Sequence, residues 1–472
     1  MRKRLVNLRV PAGDTSSGGP DTETRDILIV GGRIADVTPP SDRPAEADEE
    51  RIDLGNQLVL PGAIDGHVHF DDPGFTHRED FATGTRAAAA GGVTCVVDMP
   101  CTSLPPVTSR ANLECKLAVI EPKAHVDFML WGGVSANAMG EPDWISNLED
   151  VVAEGVGAIK IYMLSGMDTF RDLDVPDMEA VLREARRLGV PVGVHAEDRE
   201  MVLGLTQKLM AEGRDAPLDY AASRPAAGEV SAVKTLRDLC RRTGAHVHVV
   251  HVGTGEVLDI VMAARQEGLY LSAETCPHFL EFTEGDLHDM GALLKTAPVV
   301  KTVADRDRLW AGVASGKIQH VATDHAAGQW PAEKHTGSIW TDYGGVPGVE
   351  ILLPYMYSEG YRKGRVSLSR MVEVISSAPA AFFGIESRKG HIEKGFDADL
   401  AVIDENESWT VCAADLHNLN RYTPHDGQTF AGRVTMTLVR GCEAYCRHPD
   451  GSETFGPEGL GRRVRRETRV AV

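Results

Sequence analysis

Eight short apolar runs, each followed by a stretch with helical spacing, constrain this chain more than any other feature. They fall at 58–68, 93–98, 126–131, 158–162, 190–195, 245–251, 269–274 and 318–324. Strands that alternate with helices must pair in parallel, because each crossover returns the chain to the same end of the sheet. The helical stretches fit that role: 81–90 is alanine-rich, and 177–188 has amphipathic spacing and is closed by Gly189. Eight such units over roughly 270 residues predict an α/β protein with a (β/α)8 TIM barrel, whose chemistry lies where strands end.

The two ends of the chain read differently. Residues 26–37 are two β-rich runs with Gly31-Gly32 between them, the pattern of a hairpin. A similar pattern returns at 398–404 and 434–441. Both ends are therefore expected to build one small β-sandwich domain, with 1–60 and 391–472 (including a tail) flanking a barrel at 61–390. A length of 472 residues agrees, being too long for one compact core of ordinary size. Segments 11–24 and 39–51 are rich in Pro, Gly, Ser, Asp and Glu and read as loops.

Composition excludes several classes of function. A formal charge of −20 argues against a nucleic-acid surface. With 42% apolar residues and no apolar run long enough to cross a bilayer, a soluble globular protein with no membrane partner is expected. The basic start Met1-Arg2-Lys3-Arg4 is followed by Leu5-Val6-Asn7-Leu8-Arg9, which predicts no signal peptide. Eight cysteines without a CxxC pair fit a reducing, cytoplasmic setting.

The polar residues that end the apolar runs carry the chemistry. The first run closes in His67-Val68-His69 and then breaks at Pro73-Gly74. Alternate strand residues share a face, so the two imidazoles point together and can chelate one metal ion. Lys160 lies in the fourth run, His195 ends the fifth, His251 the sixth and Asp324 the eighth. In a barrel all six converge on one rim. Four imidazoles and a carboxylate are too few for two closed four-coordinate sites and suit two open ones. A lysine buried beside two cations loses its proton, and its amine can then take up CO2 as a carbamate that bridges the ions. Singly, each residue has a bland explanation: Lys160 can snorkel to solvent, and His195 can be a satisfied core histidine. His246, His248, His278, His320 and His325 are rivals for the ligand roles. Strand alternation predicts that His248 faces away from His251, toward the helical layer.

The chain resembles the cyclic amidohydrolases of the amidohydrolase superfamily: allantoinases, dihydropyrimidinases or hydantoinases, and dihydroorotases. The resemblance rests on Pro61-Gly62-Ala63-Ile64-Asp65-Gly66-His67-Val68-His69, Asp98-Met99-Pro100, Ile159-Lys160-Ile161-Tyr162, Val194-His195-Ala196-Glu197, Ser223-Arg224-Pro225, Val250-His251-Val252, Glu274-Thr275-Cys276-Pro277-His278 and Thr323-Asp324-His325. It runs from about residue 26 to 445. It implies hydrolysis of a cyclic amide C–N bond in a small-molecule substrate. His67, His69 and Asp324 would hold one divalent ion, His195 and His251 the other, with N6-carboxylated Lys160 bridging. Zinc is the family's usual ion and oligomers are its habit, a tetramer by resemblance. Asp324 would serve as general base and then acid, and His278 would help hold the oxyanion.

Departures from family patterns narrow the choice. Dihydroorotases place an arginine just after the HxH motif, where this chain has Asp71 and Asp72, expected to make the entrance negative. Arg78 is the one nearby substitute. Dihydropyrimidinases carry a tyrosine at the position of Ser165 and Asn-Gly near Gly344-Gly345. Ser165 and Gly345 resemble the allantoinase branch instead, which implies conversion of allantoin to allantoate. Against this stand Cys101-Thr102, where that branch has Leu-Asn, and 297–301, an altered pocket wall. A hydantoinase-like or cyclic-imide hydrolase is the alternative, with a dihydroorotase or an inactive scaffold behind it.

Overall fold

A computed structural model describes residues 2–12, 21–41, 46 and 48–467. Much of the two N-terminal loops, at 13–20, 42–45 and 47, lies outside the described residues.

The chain opens with β1 (Arg2–Pro11), β2 (Thr22–Val30), β3 (Arg33–Thr38), β4 (Glu50–Asp53) and β5 (Leu58–Pro61). Gly31 and Gly32, at φ of 60° and 87°, make the predicted hairpin turn between β2 and β3. Next come β6 (Ala63–Val68), β7 (Val93–Asp98), β8 (Asp127–Leu130), β9 (Gly132–Gly133), β10 (Ile159–Tyr162), β11 (Val192–His195), β12 (Val247–Val249), β13 (Leu271–Thr275) and β14 (His320–Val321). Antiparallel strands β15 (Leu400–Thr410), β16 (Thr429–Val439), β17 (Cys442–Arg447) and β18 (Glu453–Phe455) follow.

Strands from both chain ends share one nine-stranded sheet, ordered β18-β17-β16-β15-β5-β1-β2-β3 with β4 against β1. Leu5, Ile27, Val59, Leu400, Val402 and Leu438 pack into one buried cluster on it. The first apolar run, read as a single strand over 58–68, divides at Gly62: β5 joins this sheet antiparallel to β15, while β6 pairs in parallel with β7. Between Pro61 and Ala63 a side chain has no room, since a Cβ on Gly62 would lie 2.2 Å from Thr94.

The middle of the chain is α/β, with parallel strands in a three-stranded sheet, β6-β7-β8, and a six-stranded one, β14-β13-β12-β11-β10-β9. Only Trp131 separates β8 from β9, and on the far side Val68 bridges His325 in parallel. Helices form where the spacing predicts them. Phe81–Ala90 is capped by Asp80, whose carboxylate accepts from the Thr83 amide, and Val175–Leu188 ends at Gly189 with φ of 70°. Ile64, Val97, Met129, Trp131, Phe382 and Phe383 fill the space between the strands. Phe383 presses on Gly66, where a Cβ would sit 2.8 Å from its ring, so the residue before His67 must be glycine.

Two features of the tail were not legible beforehand. Residues 462–466 leave the terminal sheet and lie along β8, where Phe128 donates to the Arg462 carbonyl and Val464 to that of Phe128. Arg466 then donates to the carbonyls of Gly157 and Phe382.

His417 ties the terminal sheet to the helical layer. Its Nδ1 is 2.9 Å from Glu350 and its Nε2 is 3.0 Å from Glu453 of β18. Burial disfavours its charge, but the two carboxylates outweigh burial and raise its pKa to about 9. A raised folded-state pKa adds stability that is complete below the unfolded value near 6.5 and is lost as pH climbs through about 9. Chemical denaturation at pH 6 and pH 10 should therefore differ by roughly 2–3 kcal/mol more in the wild type than in His417→Gln. Equal differences in the two proteins would contradict the pairing.

Candidate active site

The four histidines expected at strand ends come together. Ring centres lie 5.3 Å apart for His67–His69, 5.4 Å for His67–His251 and 4.7 Å for His195–His251. His67 Nε2 and His69 Nε2 stand 3.0 and 3.2 Å from the same oxygen, Asp324 Oδ1. Across from them, His195 Nδ1 and His251 Nε2 are 3.1 Å apart. Tyr162 links the halves: its ring stacks on His195 at 5.3 Å and its hydroxyl is 3.1 Å from Cys101 Sγ, itself 3.7 Å from His69 Nδ1.

Lys160 is fully buried, with Nζ 4.8 Å from the centre of the Tyr162 ring and no hydrogen-bond partner. Burial lowers its pKa. Burial also pushes Asp324 upward, but His67 beside it holds the carboxyl well below the usual range, so it is ionised. Burial depresses His195 and His251, leaving neutral imidazoles with lone pairs to offer.

This donor set fits metal ions. His251 Nδ1 and Lys160 Nζ are buried polar atoms without hydrogen bonds, which is costly unless something else satisfies them. His67, His69 and Asp324 present ligand atoms all within 4.8 Å of one another.

The backbone here is unusual. His251 and Asp324 have φ of 42° and 51°, and Asp71 has φ of 52°. Non-glycine residues seldom adopt this region, and they hold it where surrounding contacts over-determine them. Those contacts are visible. Asp65 accepts from the amides of His67 and Thr323 and from the Thr323 hydroxyl, pinning the end of β6 to the segment that carries Asp324. His69 donates its amide to the His325 carbonyl at 2.7 Å.

A cavity of about 500 Å³ opens on this cluster. His69, Tyr162, His195, His251 and Asp324 lie in its wall, as do Ser165 and Gly345. The Ser165 hydroxyl donates to the Phe170 carbonyl and accepts from the Met167 amide, so it also shapes its own loop. Gly345 leaves no room for a side chain, since a Cβ would meet the Ala326 carbonyl at 2.4 Å. His278 is buried with Nε2 unpartnered and its pKa lowered to about 4 by burial, but it is not part of the cavity wall.

Two expectations are corrected. Asp71 and Asp72 do not make the entrance negative, because both are buried. Asp72 pairs with Lys123 at 2.6 Å and accepts from the Phe81 amide. Burial raises Asp71 to about 7. The cavity wall instead carries Arg78, Arg224 and Lys295. Arg78 is held by Glu333 and Arg224 by Glu197, while Lys295 donates to the Asp342 carbonyl. His248 does not face the helical layer either. It lies inward, fully buried, 3.1 Å from Glu274. Its strand ends at Val249 and His251 has a positive φ, so alternation cannot be counted through to His251.

Sequence reasoning assigned no role to the carboxylates behind the ligands. Glu274 lies 2.6 Å from His67 Nδ1, and Glu197 lies 2.8 Å from His195 Nε2. Burial disfavours the charge on Glu197, but Arg224 and His195 hold it down to about 2. The one available signal was that Glu197 and Glu274 are acids inside or beside apolar strand runs, where an unpaired charge is not tolerated.

Residues 58–443 match the Amidohydrolase family, and the chain belongs to it. It is 37% identical over 463 residues to the allantoinase of Rubrobacter xylanophilus, covering 98% of each chain. It is 36% identical to that of Deinococcus radiodurans, covering 93% of this chain and 95% of the relative. Among solved structures it is similar to the L-hydantoinase (dihydropyrimidinase) of Arthrobacter aurescens, with a TM-score of 0.91 and 29% identity over 98% of this chain and 99% of the other. The dihydropyrimidinase of Brevibacillus agri aligns with a TM-score of 0.90 and 30% identity over 99% of both chains. The chain is thus a cyclic amidohydrolase, an enzyme of small-molecule hydrolysis.

Proposed function

We propose that this enzyme hydrolyses the ring amide of allantoin to give allantoate. The observation that carries the reading is the convergence of His69, His195, His251 and Asp324 on one cavity, with His67 and the unpartnered Lys160 buried beside them, in a chain whose near-full-length relatives bear the name allantoinase. His67, His69 and Asp324 would hold one divalent ion and His195 and His251 the second, with N6-carboxylated Lys160 between them. Zinc suits imidazole and carboxylate donors.

Bound ions of this kind lower the pKa of a water and polarise a carbonyl. Everything else falls to the chain. Asp324, ionised and at the cavity wall, takes the proton from water as the C–O bond forms at the ring carbonyl, then passes it to the leaving amide nitrogen as the C–N bond breaks. Tyr162 and Leu164, both lining the cavity, wall the reacting centre from bulk solvent. Ser165 and Gly345 shape the part of the pocket that takes the ureido arm. His278, buried with its Nε2 unpartnered, would help hold the oxyanion.

The same reading includes a closed eight-stranded barrel, supported by the Val68–His325 bridge and the single-residue gap at Trp131. It divides the chain at 1–60, 61–390 and 391–472, supported by the terminal sheet that unites both ends. A cytoplasmic homo-tetramer completes it. No helix among the described residues is long and apolar enough to cross a membrane.

A panel of allantoin, dihydrouracil, hydantoin, dihydroorotate and a simple cyclic imide, run on metal-replete enzyme, tests the assignment. Allantoin should exceed dihydrouracil at least ~10-fold in kcat/KM, the worth of about one hydrogen bond left unmatched in a polar pocket. Dihydroorotate is expected to be poorest, because Arg78 and Arg224 are already paired with Glu333 and Glu197 and the Lys295 amine is engaged by the Asp342 carbonyl. A clear preference for dihydrouracil or an unsubstituted imide would overturn the allantoin assignment and leave the site intact.

A further inference from the structure

Away from the cavity wall, Glu274 of β13 receives three imidazoles at once, one of them from the candidate ligand His67. Its Oε1 is 2.6 Å from His67 Nδ1, and its Oε2 is 3.1 Å from His248 Nε2 and 2.9 Å from His320 Nε2. All four side chains are fully buried. His248 and His320 stack with ring centres 5.0 Å apart and planes within 6°. The chain of contacts continues: His248 Nδ1 is 2.7 Å from the Ser272 hydroxyl, which is 2.9 Å from His246 Nε2.

An ionised carboxylate only accepts hydrogen bonds. The three nitrogens that face Glu274 must therefore all carry hydrogen. For His248 this leaves Nδ1 as an acceptor, so the Ser272 hydroxyl donates to it and in turn accepts from His246 Nε2–H. One arrangement of hydrogens satisfies the contacts from Glu274 through His248 and Ser272 to His246. Its consequence for His67 is fixed as well: Nδ1 is protonated and Nε2 carries the lone pair, and Nε2 is the nitrogen that stands 3.0 Å from Asp324.

We infer that Glu274 is a positioning residue that locks His67 in the Nδ1–H tautomer and aims its Nε2 at the first metal position, with His248 and His320 holding the carboxylate in place. The three residues Glu274, His248 and His320 also lie close enough to chelate an ion of their own. That alternative is disfavoured, because each nitrogen facing the carboxylate is already used as a donor. The inference rests on the metal reading above and adds a tautomer-setting device to it. The second pair is oriented differently, since Glu197 behind His195 is held by Arg224 in the cavity wall. The His67 position is thus fixed from a sealed interior and the His195 position from the substrate side.

The test is a zinc titration of the chelator-stripped full chain against a competing chromophoric chelator, for wild type, Glu274→Gln and His320→Asn. Glutamine keeps the size of glutamate but turns an N–H toward N–H groups. One of two zinc equivalents should weaken about 10- to 100-fold in Glu274→Gln, as loss of an outer partner does for metal-bound histidines. Turnover should fall at limiting zinc and recover at saturating zinc, with KM unchanged. His320→Asn leaves His67 untouched and removes one of the groups steadying Oε2, so a smaller loss in the same equivalent is expected. It also serves if Glu274→Gln does not fold. A merely structural Glu274 would lower the melting temperature of the metal-free protein and leave both zinc affinities unchanged, and that result overturns the inference. A third tight equivalent in the wild type, lost in both variants, overturns it too. A wild type that binds no zinc defeats the metal reading itself, an outcome distinct from two normal equivalents in every protein.

Discussion

Lys160→Ala is expected to lose metal and activity together. Lys160 Nζ lies in a sealed environment with no hydrogen-bond partner, and burial lowers its pKa. An ammonium there would be a buried charge without a hydrogen-bond partner, which is costly. Once deprotonated, the amine would be nucleophilic toward CO2, and the resulting carbamate would add anionic oxygens to those of Asp324, which four neutral imidazoles cannot supply. Removing it takes away a shared ligand, so the loss in metal affinity should exceed the ~10–100-fold typical of an outer partner. Short carboxylic acids such as acetate or propionate should restore part of both metal and turnover, because they fit the space that the truncated side chain vacates. Metal analysis before and after adding acid checks this. A full metal complement in Lys160→Ala without added acid would remove the ground for the carbamate.

Asp324→Asn separates proton transfer from metal binding. Asn keeps an oxygen where Asp324 Oδ1 meets His67 and His69, but it cannot take a proton. Turnover should fall by ~10²–10⁴-fold, the usual contribution of a positioned acid–base group, while much of the metal stays bound. Near-normal kcat in this variant would assign the proton to another group.

The sequence made the rim of the site legible because strand ends are local features. His67-Val68-His69, His195, His251 and Asp324 each follow an apolar run, and the structure joins them in one chain of contacts a few ångströms apart. The groups that orient them were not legible in the same way. Glu274 reaches His67 across 207 residues and Asp65 reaches Thr323 across 258, contacts that exist only once strands have been assigned neighbours. Alternation failed at His248 for a related reason: a positive φ at His251 breaks the two-residue period at the point where function needs it. The acidic turn at Asp71 and Asp72 misled because local charge does not reveal burial, and Lys123, 51 residues away, is what pairs with Asp72. In the fold, β-rich ends announced the terminal strands, but the switch of β5 and β6 between sheets at Gly62 and the return of the tail to β8 depend on packing.

The metal dependence of allantoin turnover is the most direct measurement of how this site works. Protein stripped by a chelator should lose hydrolysis of allantoin, and activity should return in proportion to added zinc and level off near two equivalents per chain. Undiminished turnover in metal-free protein, or zinc bound at two equivalents with no allantoin hydrolysed, would contradict it.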